Sequence, residues 1–93
     1  MDSIVLVTGA ARGLGLEMCR QMLAEGRRVI ACPRIDGEEE LEQLAGNSGG
    51  QLQIVPMDVG DEGSIEVAAG RIGKLVDRID ILINNAGVYP EVG

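Results

Sequence analysis

The chain has no histidine, phenylalanine or tryptophan, and it has only one tyrosine and two cysteines. Because Cys19 and Cys32 form no close-set pair and no histidine is present, a metal site is not expected. Isolated cysteines in apolar surroundings are typical of small buried side chains in a reducing compartment. The scarcity of aromatic residues means that the core must consist of Val, Ile, Leu, Ala and Met side chains.

Basic residues are also few, since 8 Lys and Arg stand against 15 Asp and Glu, for a formal net charge of −7. A chain this acidic has no general attraction for nucleic acid or anionic membranes, so neither is expected as a partner. The chain does not open with a basic segment followed by a long apolar run. No signal peptide or membrane span is therefore expected, and a cytoplasmic location is predicted. Glutamates cluster where the second helix is predicted to begin and suit its dipole there: Glu38, Glu39, Glu40 and Glu42.

Short apolar runs alternate with helical patterns along the 93 residues, which is typical of a parallel α/β sheet in one small domain. The patterns predict strands over residues 3–7, 28–32, 51–57 and 80–84, and helices over residues 13–25, 37–45 and 62–77. Right-handed crossovers then give the strand order 3-2-1-4. A ligand crevice is expected at the carboxyl ends of the first and fourth strands, where this order reverses.

A glycine turn joins the first strand to the first helix, with Gly9, Gly13 and Gly15 spaced as G-x-x-x-G-x-G. Glycine allows a sharp turn and a close backbone approach to phosphates, and the following helix offers unpaired amides and a positive dipole end. Together with the segment Asn84-Asn85-Ala86-Gly87, this turn resembles the short-chain dehydrogenase/reductase family along essentially the whole chain. The resemblance implies a Rossmann-type doubly wound sheet, with residues 1–93 as a single dinucleotide-binding unit truncated before the catalytic part.

The resemblance also implies which residues hold the cofactor. The turn, with the backbone from Arg12 to Leu14, faces the pyrophosphate, while Asn85, Ala86 and Gly87 lie along its ribose side and Asn84 stiffens the sheet. Asp58 and Val59 match the pair that contacts adenine, although Asp58 could instead cap the turn after its strand.

Cofactor preference depends on the end of the second strand. An NAD site has an acidic residue there for the ribose 2′-hydroxyl, but this chain has Pro33, followed by Arg34. Arg12 and Arg34 together suit a 2′-phosphate, because a guanidinium binds phosphate in a bidentate way. NADP(H) is therefore predicted over NAD(H). The alternative is that both arginines are solvated surface charges, and Asp36 lies near enough in sequence to weaken the phosphate interpretation.

Catalysis in the resembled family needs a serine and a Tyr-x-x-x-Lys pair for carbonyl/alcohol interconversion by hydride transfer. The only tyrosine here is Tyr89 and the only lysine, Lys74, precedes it, so the motif is absent and no catalytic residue is assigned. Residues 13–17 and 32–34 look like those of the carbonyl-reductase-like branch related to sniffer and C-factor proteins. Because the catalytic motif is absent, the sequence leaves open whether the chain is an enzyme by itself.

The fourth strand suggests a second, non-catalytic interpretation. Ending at Gly93 leaves the apolar strand at 81–83 on an exposed edge, which favours self-association and marginal stability. A module that binds a dinucleotide, or pairs with another subunit through this edge, is therefore the alternative to the cofactor-binding part of an oxidoreductase.

Overall fold

The computed structural model describes residues 3–85, in which four strands alternate with three helices. The bounds in chain order are β1 Ile4–Thr8, α1 Gly13–Ala24, β2 Arg28–Cys32, α2 Glu39–Gly46, β3 Leu52–Ile54, α3 Glu62–Leu75 and β4 Ile81–Ile83. Every element predicted from the sequence is therefore present.

The bounds differ most at β3, which covers only part of the predicted range 51–57. Pro56 has no amide hydrogen, so it cannot continue a hydrogen-bonded ladder. The chain nevertheless stays beside β2, because the Val55 amide donates to the Ala31 carbonyl at 2.9 Å and the Met57 amide to the Pro33 carbonyl at 2.8 Å. The strand ends early, yet the residues that follow it still lie along its neighbour.

Helix α2 begins at Glu39, two residues after the predicted start, because Gly37 has a φ of +85° that no helical residue adopts. Helix α3 begins at its predicted residue, where the Asp61 carboxylate accepts hydrogen bonds from the amides of Gly63 and Ser64. It ends two residues before its predicted end, because Val76 is extended, with a φ of −140° and a ψ of 154°.

All strand pairs are parallel, and their order is β3-β2-β1-β4, as predicted. In this register Val5 lies between Val29 on one side and Ile81 on the other. The first two crossovers run outward from β1, and the third returns to its opposite side. The order reverses between β1 and β4, so the carboxyl ends of these strands mark the switch point of the sheet.

Alternate residues of the strands fill two separate cores. One face of the sheet carries Val5, Val7, Val29, Ala31 and Leu52, which pack with buried residues of α1 and α2. The other face carries Ile4, Leu6, Ile30 and Cys32, which pack with buried residues of α3. Helices therefore cover both faces, as a doubly wound fold requires. Among the helices of residues 3–85, none combines the length and the apolarity that crossing a membrane demands.

The two cysteines are free thiols inside these cores, with Cys19 on the α1 side and Cys32 on the α3 side. Burial raises the pKa of each thiol to about 12, and for Cys32 the nearby Cys19 adds a smaller contribution. Both therefore stay protonated and unreactive at neutral pH. Residues 3–85 hold no cluster of side chains that could bind a metal ion.

At the amino ends of the strands, Asp80 connects β4 to β1. The Ile4 amide donates to the Asp80 carboxylate at 2.8 Å, and the Asp80 amide donates to the Ile4 carbonyl at the same distance. The Arg78 guanidinium donates to the other carboxylate oxygen at 3.0 Å. The bond from Ile4, with a smaller contribution from Arg78, lowers the pKa of Asp80 below its ordinary value despite partial desolvation.

We predict that Asp80→Asn lowers stability at neutral pH and that its deficit shrinks in acid. A carboxyl group whose pKa is lower in the folded state stabilises it above the unfolded pKa, near 3.9, and this contribution is lost as pH falls toward the folded pKa. Thermal unfolding of both proteins between pH 7 and pH 3 measures the difference. A deficit that stays constant across this range would contradict the role of the charge.

Candidate functional site

The turn between β1 and α1 depends on two glycines in the left-handed region. Gly9 has a φ of +60° and Gly13 a φ of +56°, values that side-chain-bearing residues rarely adopt. A Cβ on Gly13 would meet nothing within 4 Å, so this residue is needed for its backbone conformation and not for space. Gly13 itself is exposed.

Gly15 is needed for a different reason, which is the close approach of α1 to the ends of the strands. A Cβ at this position would overlap the Gly9 carbonyl and would lie 2.7 Å from Nδ2 of Asn85. The same Asn85 amide donates to the Gly9 carbonyl at 3.1 Å. The first turn of α1, the residue after β1 and the second residue after β4 are thus held in direct contact.

A second side-chain bond joins β1 and β4 at this edge. The Thr8 hydroxyl donates to Oδ1 of Asn84 at 3.1 Å, and Thr8 is buried. Asn84 therefore connects the carboxyl ends of the two strands that flank the switch point. This contact agrees with the sheet-stiffening role predicted for Asn84.

The amino end of α1 carries no acidic residue, in contrast to the other two helices. The first turn of α2 contains Glu39, Glu40 and Glu42, and α3 has Asp61 as its cap and Glu62 in its first turn. The amides at a helix start have no carbonyl partners within the helix, and they carry a partial positive charge. Of the three helix starts, only that of α1 is thus left without an anion of its own.

Beside the glycine turn lies a cavity of about 470 Å³, a size suited to a small-molecule ligand. Three segments, which follow β1, β2 and β3, line it, and they bring together Gly9, Arg12, Arg34, Asp58 and Val59 from the predicted site. The other lining residues are Ala11, Ile35, Glu38, Met57 and Gly60.

Gly13, Leu14, Gly15 and Asn85 of the predicted site are not among the residues that line this cavity. Leu14 is 68% exposed at the start of α1, whereas Gly15 is buried beneath the turn. Asn85 is held on the Gly9 carbonyl. Ala86 and Gly87 lie outside the described residues.

Each arginine of the cavity faces a carboxylate. The Arg12 guanidinium lies 3.8 Å from the Glu38 carboxylate, and that of Arg34 lies 3.7 Å from the Asp58 carboxylate. These distances exceed a normal hydrogen bond, and the arginine side chains are 83% and 80% exposed. Such exposed pairs are weak, so both guanidinium groups can exchange partners at little cost.

Asp58 has further contacts within its own loop. Its carboxylate accepts from the Gly60 amide at 3.0 Å, and its amide donates to the Ser64 hydroxyl at 2.8 Å. The turn-capping role considered as an alternative for Asp58 is therefore present in the structure. It leaves the second carboxylate oxygen, the one that faces Arg34, on the cavity side.

Sequence reasoning did not include Glu38, Ile35 or Met57 among the site residues. The sequence presents Glu38 only as one of several carboxylates at a helix start, because composition does not distinguish neighbouring glutamates. Gly37, with a φ of +85°, directly precedes Glu38. Of these four glutamates, only Glu38 lines the cavity. Ile35 directly follows Arg34 and is 59% exposed, which places its apolar side chain at the cavity and outside the core.

A parallel, doubly wound sheet with a glycine turn and a bare helix start at its switch point defines the dinucleotide-binding fold of the Rossmann type. The comparisons with known proteins agree with this class. Residues 3–93 match the family model described as short chain dehydrogenase, and the chain belongs to this family, whose members bind a nicotinamide dinucleotide.

Relatives of known name are similar over nearly the whole chain. The mouse protein dehydrogenase/reductase SDR family member 7B is 40% identical over 92 residues, which are 94% of this chain and 28% of that protein. A probable NADP-dependent dehydrogenase of Dichelobacter nodosus, in the aabA 3′ region, is 38% identical over 85 residues, 91% of this chain and 78% of that one. The chain thus spans under a third of the mouse relative.

Among solved structures, the NADPH-bound carbonyl reductase from chicken fatty liver superimposes with a TM-score of 0.85 at 38% identity. The match covers 95% of this chain and 38% of that one. The strand order, the helices and the glycine turn are therefore those of a known cofactor-binding architecture.

We predict that Gly15→Ala destabilises the fold by about 1–3 kcal/mol, because the added methyl group forces α1 away from the strand ends. Denaturant unfolding measures this change. Gly70→Ala in α3 is the matched control, since a Cβ there meets nothing within 4 Å. The control should gain about 0.5–1 kcal/mol through helix propensity. Equal effects of the two substitutions would contradict the close-approach role of Gly15.

Proposed function

We propose that this chain is the NADP(H)-binding portion of a short-chain dehydrogenase/reductase. The observation that carries the proposal is a helix start without its own anion, beside a cavity that also holds two weakly paired arginines. The pyrophosphate of the cofactor would lie on the amides of the glycine turn, around Arg12, Gly13 and Leu14. Gly9 gives the turn its left-handed backbone, and Gly15 allows the start of α1 to lie against the strand ends.

The adenosine half would occupy the cavity itself. Val59 and Ile35 offer apolar surface to the adenine ring, and the carboxylate oxygen of Asp58 that faces Arg34 can accept from its exocyclic amine. Arg12 and Arg34 both line this cavity and would bind the ribose 2′-phosphate. Their loose pairing with carboxylates supports this role, because a phosphate offers each guanidinium a shorter, bidentate contact.

The nicotinamide half would run toward Asn85, Ala86 and Gly87. Asn85 already lies on the carboxyl side of β4 in contact with Gly9. When bound, the nicotinamide supplies the hydride chemistry, and the residues of this chain bind and orient it. The reaction we propose, in a longer protein that contains this segment, is carbonyl/alcohol interconversion of the carbonyl-reductase-like type. The similarity to an NADPH-bound carbonyl reductase supports this choice.

We predict that the chain binds NADPH more tightly than NADH and that Arg34→Asp reverses this preference. A hydrogen bond to a charged group contributes about 1.5–3 kcal/mol, so the substitution should weaken NADPH binding by roughly tenfold or more. It should leave NADH binding unchanged or stronger, because an acidic residue suits a 2′-hydroxyl. Isothermal titration calorimetry with each cofactor provides both affinities.

Arg71→Asp is the control for this substitution, because it makes the same change in net charge on the exposed part of α3, away from the cavity. It should keep the NADPH preference of the original chain. Equal affinity of the original chain for the two cofactors, or an equal effect of both variants, would contradict the role assigned to Arg34.

A second candidate function is subunit pairing through β4, which lies at the edge of the four-stranded sheet of residues 3–85. Leu82 is 64% exposed there, although its register neighbour Leu6 is buried. Exposed strand edges with apolar side chains readily pair with other chains.

We expect sedimentation-velocity measurements to show concentration-dependent dimers, and Leu82→Lys to reduce them strongly by placing a charge on the edge. Val67→Lys is the matched control, because Val67 is 66% exposed but lies on α3. A chain that stays monomeric at high concentration would contradict this candidate.

A cytoplasmic location remains a prediction. The free thiols of Cys19 and Cys32 support it, because unpaired cysteines are usual in reducing compartments.

A further inference from the structure

The cavity contains as many negative as positive side chains. The sequence presents Arg12 and Arg34 as a positive pair, but the fold places one carboxylate opposite each of them. Arg34 pairs with Asp58, which lies in the loop between β3 and α3. The partner of Arg12 is Glu38, which lies on a different segment and has no counterpart in the predicted site.

We propose that Glu38 is a specificity-determining residue that limits the preference of this site for a 2′-phosphate over a 2′-hydroxyl. This inference rests on the proposed NADP(H)-binding function and names a determinant within that site. A bound 2′-phosphate must compete with the Glu38 carboxylate for Arg12 and is also repelled by it. A ribose 2′-hydroxyl meets no such penalty, since a carboxylate can accept its hydrogen bond.

The position of Glu38 supports this role over a purely local one. It is the residue before α2, yet its side chain makes no capping hydrogen bond to that helix. The dipole of α2 is already matched by other carboxylates in its first turn, so Glu38 is not needed there. Its side chain is only 26% exposed and lines the cavity, whereas Glu40 is 69% exposed and pairs with Arg20 outside it.

The size of the effect follows from the exposure of the pair. Arg12 is 83% exposed and the charged atoms are 3.8 Å apart, so the pair belongs to the weak class of surface ion pairs. Removing the charge of Glu38 should therefore raise the preference for a 2′-phosphate by about two- to fivefold, the range that such pairs allow.

Two small probes isolate this part of the site. 2′,5′-ADP and 5′-AMP differ only in the 2′-phosphate, and neither carries the nicotinamide half. Calorimetric titration of the full chain with both probes gives an affinity ratio for the original protein, for Glu38→Gln and for the control Glu39→Gln. Glu39 is the next residue along α2, is exposed and does not line the cavity, so its variant removes the same charge elsewhere.

We expect Glu38→Gln to raise the ratio by about two- to fivefold and Glu39→Gln to leave it unchanged. A fold defect would weaken both probes together and would not move their ratio. Glu38→Asp, which keeps the charge, should return the ratio toward that of the original chain.

The outcomes separate this inference from the proposed function. If the original chain does not favour 2′,5′-ADP but Glu38→Gln creates that preference, the NADP(H) preference is wrong and the role of Glu38 is supported. If the original chain favours 2′,5′-ADP and Glu38→Gln leaves the ratio unchanged, only the role of Glu38 is overturned. An equal rise with Glu39→Gln also overturns it, because the effect is then one of net charge. Failure of every variant to bind either probe overturns both.

Discussion

The close contact between the start of α1 and the ends of β1 and β4 is the constraint on which the site depends. It requires a residue without a side chain at position 15, because the Gly9 carbonyl and the Asn85 amide occupy the space where a Cβ would lie. The same two groups are hydrogen-bonded to each other, so the glycine turn is fixed to the strand end on both sides. The start of α1 thereby follows directly on the turn residues that line the cavity, and the amides of a helix start favour an anion.

The charges around the cavity differ between the amides at the start of α1 and the arginine side chains. At the helix start no acidic side chain competes for the amides. Arg12, directly before α1, and Arg34, after β2, each have a carboxylate within 4 Å, and all four side chains are partly or largely exposed. Helix amides without a side-chain anion nearby bind any phosphate bridge. Where arginines and carboxylates balance each other, the affinity changes when the ligand gains or loses one phosphate.

The apolar side chains explain why this arrangement forms without aromatic residues. Five-residue strands β1 and β2 are buried almost throughout, and small β-branched and aliphatic side chains fill both faces of the sheet. Helices α1 and α2 cover one face and α3 the other, so β1 and β2 each contribute to two cores. Strand β4 is less well covered, and its central residue Leu82 keeps most of its surface accessible.

The sequence by itself determined the type, order and approximate limits of all the elements, because strand and helix periods and the glycine and proline positions are local signals. It also determined the strand order, since right-handed crossovers leave few alternatives for this alternation. The same signals indicated the edge at which Gly9, Arg12, Arg34, Asp58 and Val59 meet, because loops that follow parallel strands share one side of the sheet.

Only the tertiary structure decided what these residues face. The kink at Gly37 and the register of β1 against β2 bring Glu38 to Arg12, although they are far apart in sequence and Glu38 resembles its glutamate neighbours. Likewise, nothing local shows that Asn85 would bond to the Gly9 carbonyl beneath Gly15. The physical reason is that a side chain's partner depends on distances between segments, whereas periodicity and turn chemistry report only on a residue's immediate neighbours along the chain.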